Sequence, residues 1–155
     1  MKKGFFTKIS AWTAGKNGST GPSIPKPRST QRQIIAAKSG YRHDLGKHFK
    51  SAMEANLYRY YTGICKGIKC EYEPERFRFP KGSSPLDIIY YVPDFKITSG
   101  KRVWYIEVKG NMDREALEKA RLFQKHFHWL KLYFALPDYY NSIREAYKNK
   151  IPHWE

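Results

Sequence analysis

From Asp44 onward, Leu45, Phe49, Ala52 or Met53, Leu57, Tyr60 and Ile64 recur at three- and four-residue steps. That spacing predicts a long amphipathic helix with Asp44 as its N-cap, ending near Gly63 or Gly67. The period then changes. Residues 70–79 alternate through Tyr72, Phe77 and Phe79, with Pro74 interrupting them; residues 88–92 run on into Pro93, Asp94 and Phe95; residues 102–109 alternate cleanly. These read as three strand-like stretches, and Ser99-Gly100-Lys101 is a hairpin signal between the last two. Asp113 is positioned to cap a second helix over 114–128, with Leu117, Ala120, Phe123 or Gln124 and Phe127 on its buried face. Residues 132–136 form a short apolar run of the kind a buried strand carries, ended by Pro137, and a closing helix is expected over 139–148. The order predicts an α/β fold: a mixed central β-sheet flanked by helices, with a right-handed crossover returning the last strand beside the third.

Upstream the periodicity disappears. Residues 13–22 are rich in Gly, Ser and Thr, and Pro22, Pro25 and Pro27 follow. Residues 1–43 therefore read as a flexible arm, with a short helix over 30–39 capped by Thr30, and 44–155 as one domain. Charge sharpens this division. The formal net charge is +15; residues 1–50 hold eleven Lys/Arg against Asp44 alone (+10), and the rest hold eighteen against thirteen acids (+5). A basic arm on a more balanced domain suits a phosphate backbone, and no amphipathic apolar face accompanies it to suit a lipid surface. No apolar run approaches the roughly 18–20 residues of a membrane span. The first residues turn polar too soon for a secretory signal. A soluble, cytoplasmic, nucleic-acid-binding protein is the expectation. Cys65 and Cys70 are too few for a disulfide framework, and with His43 and His48 they have poor spacing for zinc, so they read as ordinary thiols.

Candidate chemistry centres on Asp94, Glu107 and Lys109. Glu107 and Lys109 lie two apart on a strand and leave the same face as Val103 and Tyr105. Counting back across the hairpin turn places Asp94 opposite residues 105–107. Two clustered carboxylates make a hard oxygen site suited to Mg²⁺, with Mn²⁺ able to substitute, and Lys109 stands ready for an attacking water or for phosphate charge. The plain alternative is a surface salt bridge across the hairpin. Glu54, beside Met53 and Leu57 at the edge of the first helix's apolar face, would be a third carboxylate; its plain alternative is pairing with Arg59 or another nearby base.

The pattern Phe49-x-Ser51-x-x-Glu54, then Val92-Pro93-Asp94-Phe95, then Ile106-Glu107-Val108-Lys109-Gly110 resembles the PD-(D/E)XK nuclease superfamily. Within it, order and spacing are closest to phage Holliday-junction resolvases of the endonuclease I type and to small phage nucleases, over roughly residues 45–136. The resemblance implies a restriction-endonuclease-like core and Mg²⁺ held by Asp94, Glu107, the Val108 backbone carbonyl and Glu54. It implies that Glu54, Asp94, Glu107 and Lys109 are catalytic, Lys109 serving the nucleophilic water, and that Ser51 supports the site. The arm, the loop at 80–85 and Asp87 have no counterpart in the family pattern. Related resolvases act as dimers, often with exchanged strands, so a homodimer is among the implied partners.

For DNA contact the candidates are Lys47, Lys50 and Ser51 before the first helix and Arg114, Lys119 and Gln124 on the second. Pairing of Glu118 with Arg114 and Arg121 would instead make the second helix an ordinary charged face. The expected activity is a structure-selective, phage-derived DNA endonuclease for branched DNA. The alternatives are a sequence-reading nicking or restriction-like nuclease, or a DNA-binding or packaging accessory protein with the same fold; RNA as substrate stays open, since nothing here reads a 2′-OH.

Overall fold

A computed structural model describes residues 38–155 and the backbone of Thr7–Lys8. Most of the expected arm, and its helix over 30–39 except the last residues, lie outside the described residues. A five-stranded sheet has the order β1 (Thr7–Lys8), β9 (Leu132–Ala135), β8 (Arg102–Val108), β7 (Phe95–Ser99), β4 (Lys69–Tyr72). Only β8 and β9 run parallel; the other neighbours are antiparallel. The sheet is therefore mixed, with the last strand beside β8 as the alternation pattern anticipates. The chain has an α/β fold.

Both faces of the sheet are covered. On one, α1 (Ala52–Gly63) and α3 (Pro137–Tyr147) bring Leu57, Tyr61, Tyr140 and Ile143 onto Phe95, Ile97, Ile106 and Val108. On the other, α2 (Arg114–His126) lays Ala120, Leu122 and Phe123 against Tyr105, Leu132 and Phe134. A small ribbon of β5 (Phe77–Arg78) and β6 (Tyr90–Tyr91) adds Phe77 and Tyr91 to that second cluster. Strict alternation along β7 and β8 allows this, since odd and even positions each find an apolar partner. Asp113 caps α2, accepting from the Ala116 N–H at 2.8 Å. Pro137 does not merely end the strand; it sits in the first turn of α3, where its missing N–H has no intrahelical partner to lose. Leu117, expected on the buried face of α2, is exposed, and Ala116 is buried instead.

The first helix departs most from expectation. It begins at Ala52, and residues 40–49 form a hairpin of β2 (Gly40–Arg42) and β3 (Lys47–Phe49). The fold thus starts at Gly40, not at 44. Gly46 takes a φ of 61° in the turn, a conformation that breaks a helix and that glycine adopts without strain. Phe49 is fully buried, but from a strand. Asp44 caps nothing; both its oxygens accept from Arg59, at 2.8 and 3.0 Å. Arg59 in turn reaches Glu155 Oε1 at 3.3 Å, and Arg42 grips both oxygens of Glu155 at 2.8 and 2.9 Å. Asn56 completes this clamp, donating to the Glu155 carbonyl and accepting from its N–H. The hairpin and the Glu155 region together cover a second, polar face of α1, which explains why Asn56 and Arg59 are buried beside Leu57.

The stretch over 70–79 also divides. β4 stops at Tyr72, where Glu73 adopts a φ of 45° and Pro74 follows, and the chain leaves the sheet to build the ribbon. Residues 88–97 split likewise between β6 and β7. No helix among the described residues is long and apolar enough to cross a membrane.

Candidate active site

The candidate residues meet at the end of the sheet where β7 begins and β8 finishes. Phe95 pairs with Ile106, so Asp94, one residue earlier, stands opposite Glu107. The two carboxylates are 7% and 5% exposed. Acids directly opposite on antiparallel strands repel, and burial strengthens that repulsion by removing solvent. This is not the surface salt bridge that the hairpin alone would allow.

Each acid is held in place. Asp94 Oδ2 accepts from the Val108 N–H at 2.7 Å, tying it to the backbone of β8. Glu107 Oε2 accepts from the Tyr91 hydroxyl at 2.8 Å, and its Oε1 lies 3.0 Å from Lys109 Nζ. Glu107 and Lys109 therefore share a face, as their spacing requires. Burial pushes the Asp94 carboxyl well above its ordinary range, and the charges of Glu107 and Glu54 push it further, against the opposing pull of Val108 N–H and Lys109. Burial works to lower the Lys109 ammonium, but Glu107, Asp94 and Asp113 outweigh it and hold the proton on more tightly than usual. Lys109 is thus a cation beside Glu107, 3.0 Å from its Oε1.

Glu54 enters from the N-terminus of α1 and is 6% exposed. It does not pair with Arg59. Ser51 caps the helix by accepting from the Glu54 N–H at 3.1 Å, and the Ser51 hydroxyl donates to Glu54 Oε1 at 2.8 Å. Glu54 Oε2 accepts from the Lys50 N–H at 3.2 Å and from the Tyr72 hydroxyl at 2.7 Å. The Ser51-x-x-Glu54 spacing is therefore a variant of the capping box, in which the helix acid reaches back to the chain just before the cap. The same geometry brings a buried negative charge close enough to raise Asp94.

The donor set is oxygen-rich, with Lys109 beside Glu107, and oxygen donors are what a hard divalent ion requires. Asp94 and Glu107 are its anionic pair and Glu54 adds charge beside Asp94. Among the described residues, no group of three or more His, Cys, Asp or Glu side chains is assembled to hold a metal ion. Cys65 is half-buried and Cys70 buried, and neither forms a disulfide.

The sequence reading singled out neither Tyr91 nor Tyr72 for the site, yet their hydroxyls hold Glu107 and Glu54. The signal was the alternation: Tyr91 is the inward position next to the outward Tyr90. Lys50 pairs with Glu73, Lys119 with Glu115 at 2.5 Å, and Arg121 with Glu118 and the Ser83 carbonyl. Lys47, Arg114 and Gln124 are exposed, and among the described residues neither Lys47 nor Arg114 has an ion pair.

An acid buried against two others is held at the expense of stability. Asp94→Asn keeps an oxygen for the Val108 N–H and removes the repelling charge. It is expected to stabilise the protein at neutral pH by about 0.5–2 kcal/mol, as substitutions that relieve a strained functional site do. Urea unfolding checks this, and a lower midpoint in the variant would contradict it.

No protein-family model matches this chain, and no curated protein matches it.

Proposed function

We propose that the chain is a divalent-cation-dependent DNA endonuclease with a PD-(D/E)XK-type site on a restriction-endonuclease-like core. The observation that carries this reading is the facing pair Asp94 and Glu107, both buried, with Lys109 on Glu107. A fold has no need to bury two opposed acids; a site that binds a cation and a phosphate does. Asp94, Glu107 and the Val108 carbonyl would hold Mg²⁺ or Mn²⁺, with Glu54 adding charge. When bound, such an ion supplies a Lewis acid for phosphodiester hydrolysis.

The remaining work falls to the chain itself. Lys109, kept protonated by its neighbours, donates to a phosphoryl oxygen and stabilises the negative charge that grows there. Tyr91 fixes Glu107 and the Val108 N–H fixes Asp94, so neither must reorient during reaction. Ser51 and Tyr72 hold Glu54 at the mouth of α1. Lys47 and Lys50, with Arg114, Lys119 and Gln124 on α2, supply phosphate contacts on either side. Branched DNA is the proposed substrate, cut by a phage-derived enzyme in the host cytoplasm, with a homodimer as the proposed assembly.

One observation favours the accessory-protein reading instead: three donors already engage Glu54 within its capping box. Plasmid DNA separates the two. The nuclease reading predicts nicking or linearisation in Mg²⁺ or Mn²⁺ and intact DNA in EDTA or Ca²⁺, whose looser coordination suits this chemistry poorly. DNA bound but uncut in every cation would sink it.

A further inference from the structure

The β5–β6 ribbon has an inner and an outer face with different chemistry. Phe77 pairs with Tyr91 and Arg78 with Tyr90, and the Phe79 N–H donates to the Ile89 carbonyl at 2.9 Å, extending the ladder. Phe77, Phe79 and Tyr91 turn inward onto Phe123 and Phe127. Arg76, Arg78 and Tyr90 are left exposed. Tyr90 is 47% exposed on the outer face. The Arg76 guanidinium lies 4.5 Å from the centre of the Tyr90 ring. Among the described residues neither Arg76 nor Arg78 has an acidic partner, whereas the cations nearby at Lys96 and Arg121 do. Glu75, next to Arg76, is already taken by Lys96 and the Tyr105 hydroxyl.

The ribbon is also tied to the candidate site. Tyr91, adjacent to Tyr90, is the residue whose hydroxyl holds Glu107. The inner face of the ribbon thus meets Glu107 through Tyr91, while Tyr90 and Arg78 leave the opposite, outer face.

We infer that the outer face of the ribbon is a DNA contact outside the candidate site itself, with Arg76 and Arg78 on phosphates and the Tyr90 ring stacked on an unpaired base. This deepens the nuclease reading and rests on it, and it supplies a physical origin for preference for branched DNA. Paired bases offer only their edges, whereas an unpaired base at a flap or junction offers a face for stacking. Free guanidinium groups suit phosphate because their fork of donors matches its oxygens. The loop at 80–85, which joins the two strands, adds an exposed Lys81 at its start, with no ion pair among the described residues.

Binding of the full chain to labelled flapped DNA and to a matched linear duplex, in EDTA, tests this. Arg76→Ala with Arg78→Ala is expected to weaken binding to both DNAs about tenfold or more and to lower the salt slope by about two. Tyr90→Ala is expected to weaken binding to the flapped DNA at least about fivefold and to leave the duplex unchanged, with Tyr90→Phe restoring it. Unchanged affinities in a wild type that binds and cuts DNA would overturn the ribbon alone. Loss of affinity in the variants of a wild type that binds but never cuts would uphold the ribbon and sink the nuclease reading.

Discussion

Glu107→Gln is expected to abolish cleavage, by at least about 10²–10³-fold, the scale on which a preorganised charged group acts at a reaction centre. The amide keeps the size of the side chain and can still accept from the Tyr91 hydroxyl, so the fold should survive. What it removes is one of the two facing charges. DNA affinity should stay within a few-fold of wild type, because Lys109 and the surface cations remain. Lys109→Ala should give a similar loss of cutting, since its ammonium is the cation closest to Glu107. Single-turnover cleavage beside a binding titration separates the two effects. A Glu107→Gln protein that cuts at the normal rate would show that the facing acids do not carry the chemistry.

The second large effect concerns stability and lies far from the acids. Arg59 is 6% exposed and links Asp44, Asn56 and Glu155, so it holds together a turn, a helix and the Glu155 region. Arg59→Met keeps much of the stem and removes the charge. Breaking a buried ion pair costs about 3–5 kcal/mol, and because Asp44 and Glu155 retain some solvent the lower end is expected, roughly a 10 °C fall in Tm. The same clamp gives an acid-side signature. Its hydrogen bond from Arg59 holds the Asp44 carboxyl below its ordinary value of 3.8, and the Arg42 hydrogen bond does the same for Glu155 below 4.5. Carboxylates with depressed values stabilise the fold fully above those ordinary values and lose that contribution as pH falls through the lower, folded values. Urea midpoints should therefore drop below about pH 4 in wild type, with a shallower drop in Arg59→Met. A Tm unchanged by the substitution would contradict the clamp.

The parts of the fold that could be read from the sequence are those in which one period persists. Residues 102–108 alternate without a break, and their strand, its hairpin with Phe95–Ser99 and the opposition of Asp94 to Glu107 all follow. Asp113 followed by a 3.6-residue pattern gives α2. The errors fall where local chemistry overrides a pattern. Leu45 and Phe49 keep helical spacing by accident of a hairpin, and the information that breaks the helix sits in Gly46 and in Ser51, which caps the helix where Asp44 does not. The clamp was hidden because it joins Arg42, Arg59 and Glu155 across about a hundred residues, which no local window senses. For the candidate site, the charged residues stand out because acids on a hydrophobic hairpin are conspicuous. Tyr72 and Tyr91 do not, since a tyrosine on a strand looks the same whether its hydroxyl meets water or a buried carboxylate.

Cleavage of a labelled four-way junction beside a matched linear duplex in Mg²⁺, with Glu107→Gln as control, tests the proposed activity most directly. The proposal predicts strand cutting at the junction in preference to the duplex, absent in EDTA and in the variant. Tight binding of both DNAs with neither cut would contradict it and leave the buried acids without a catalytic role.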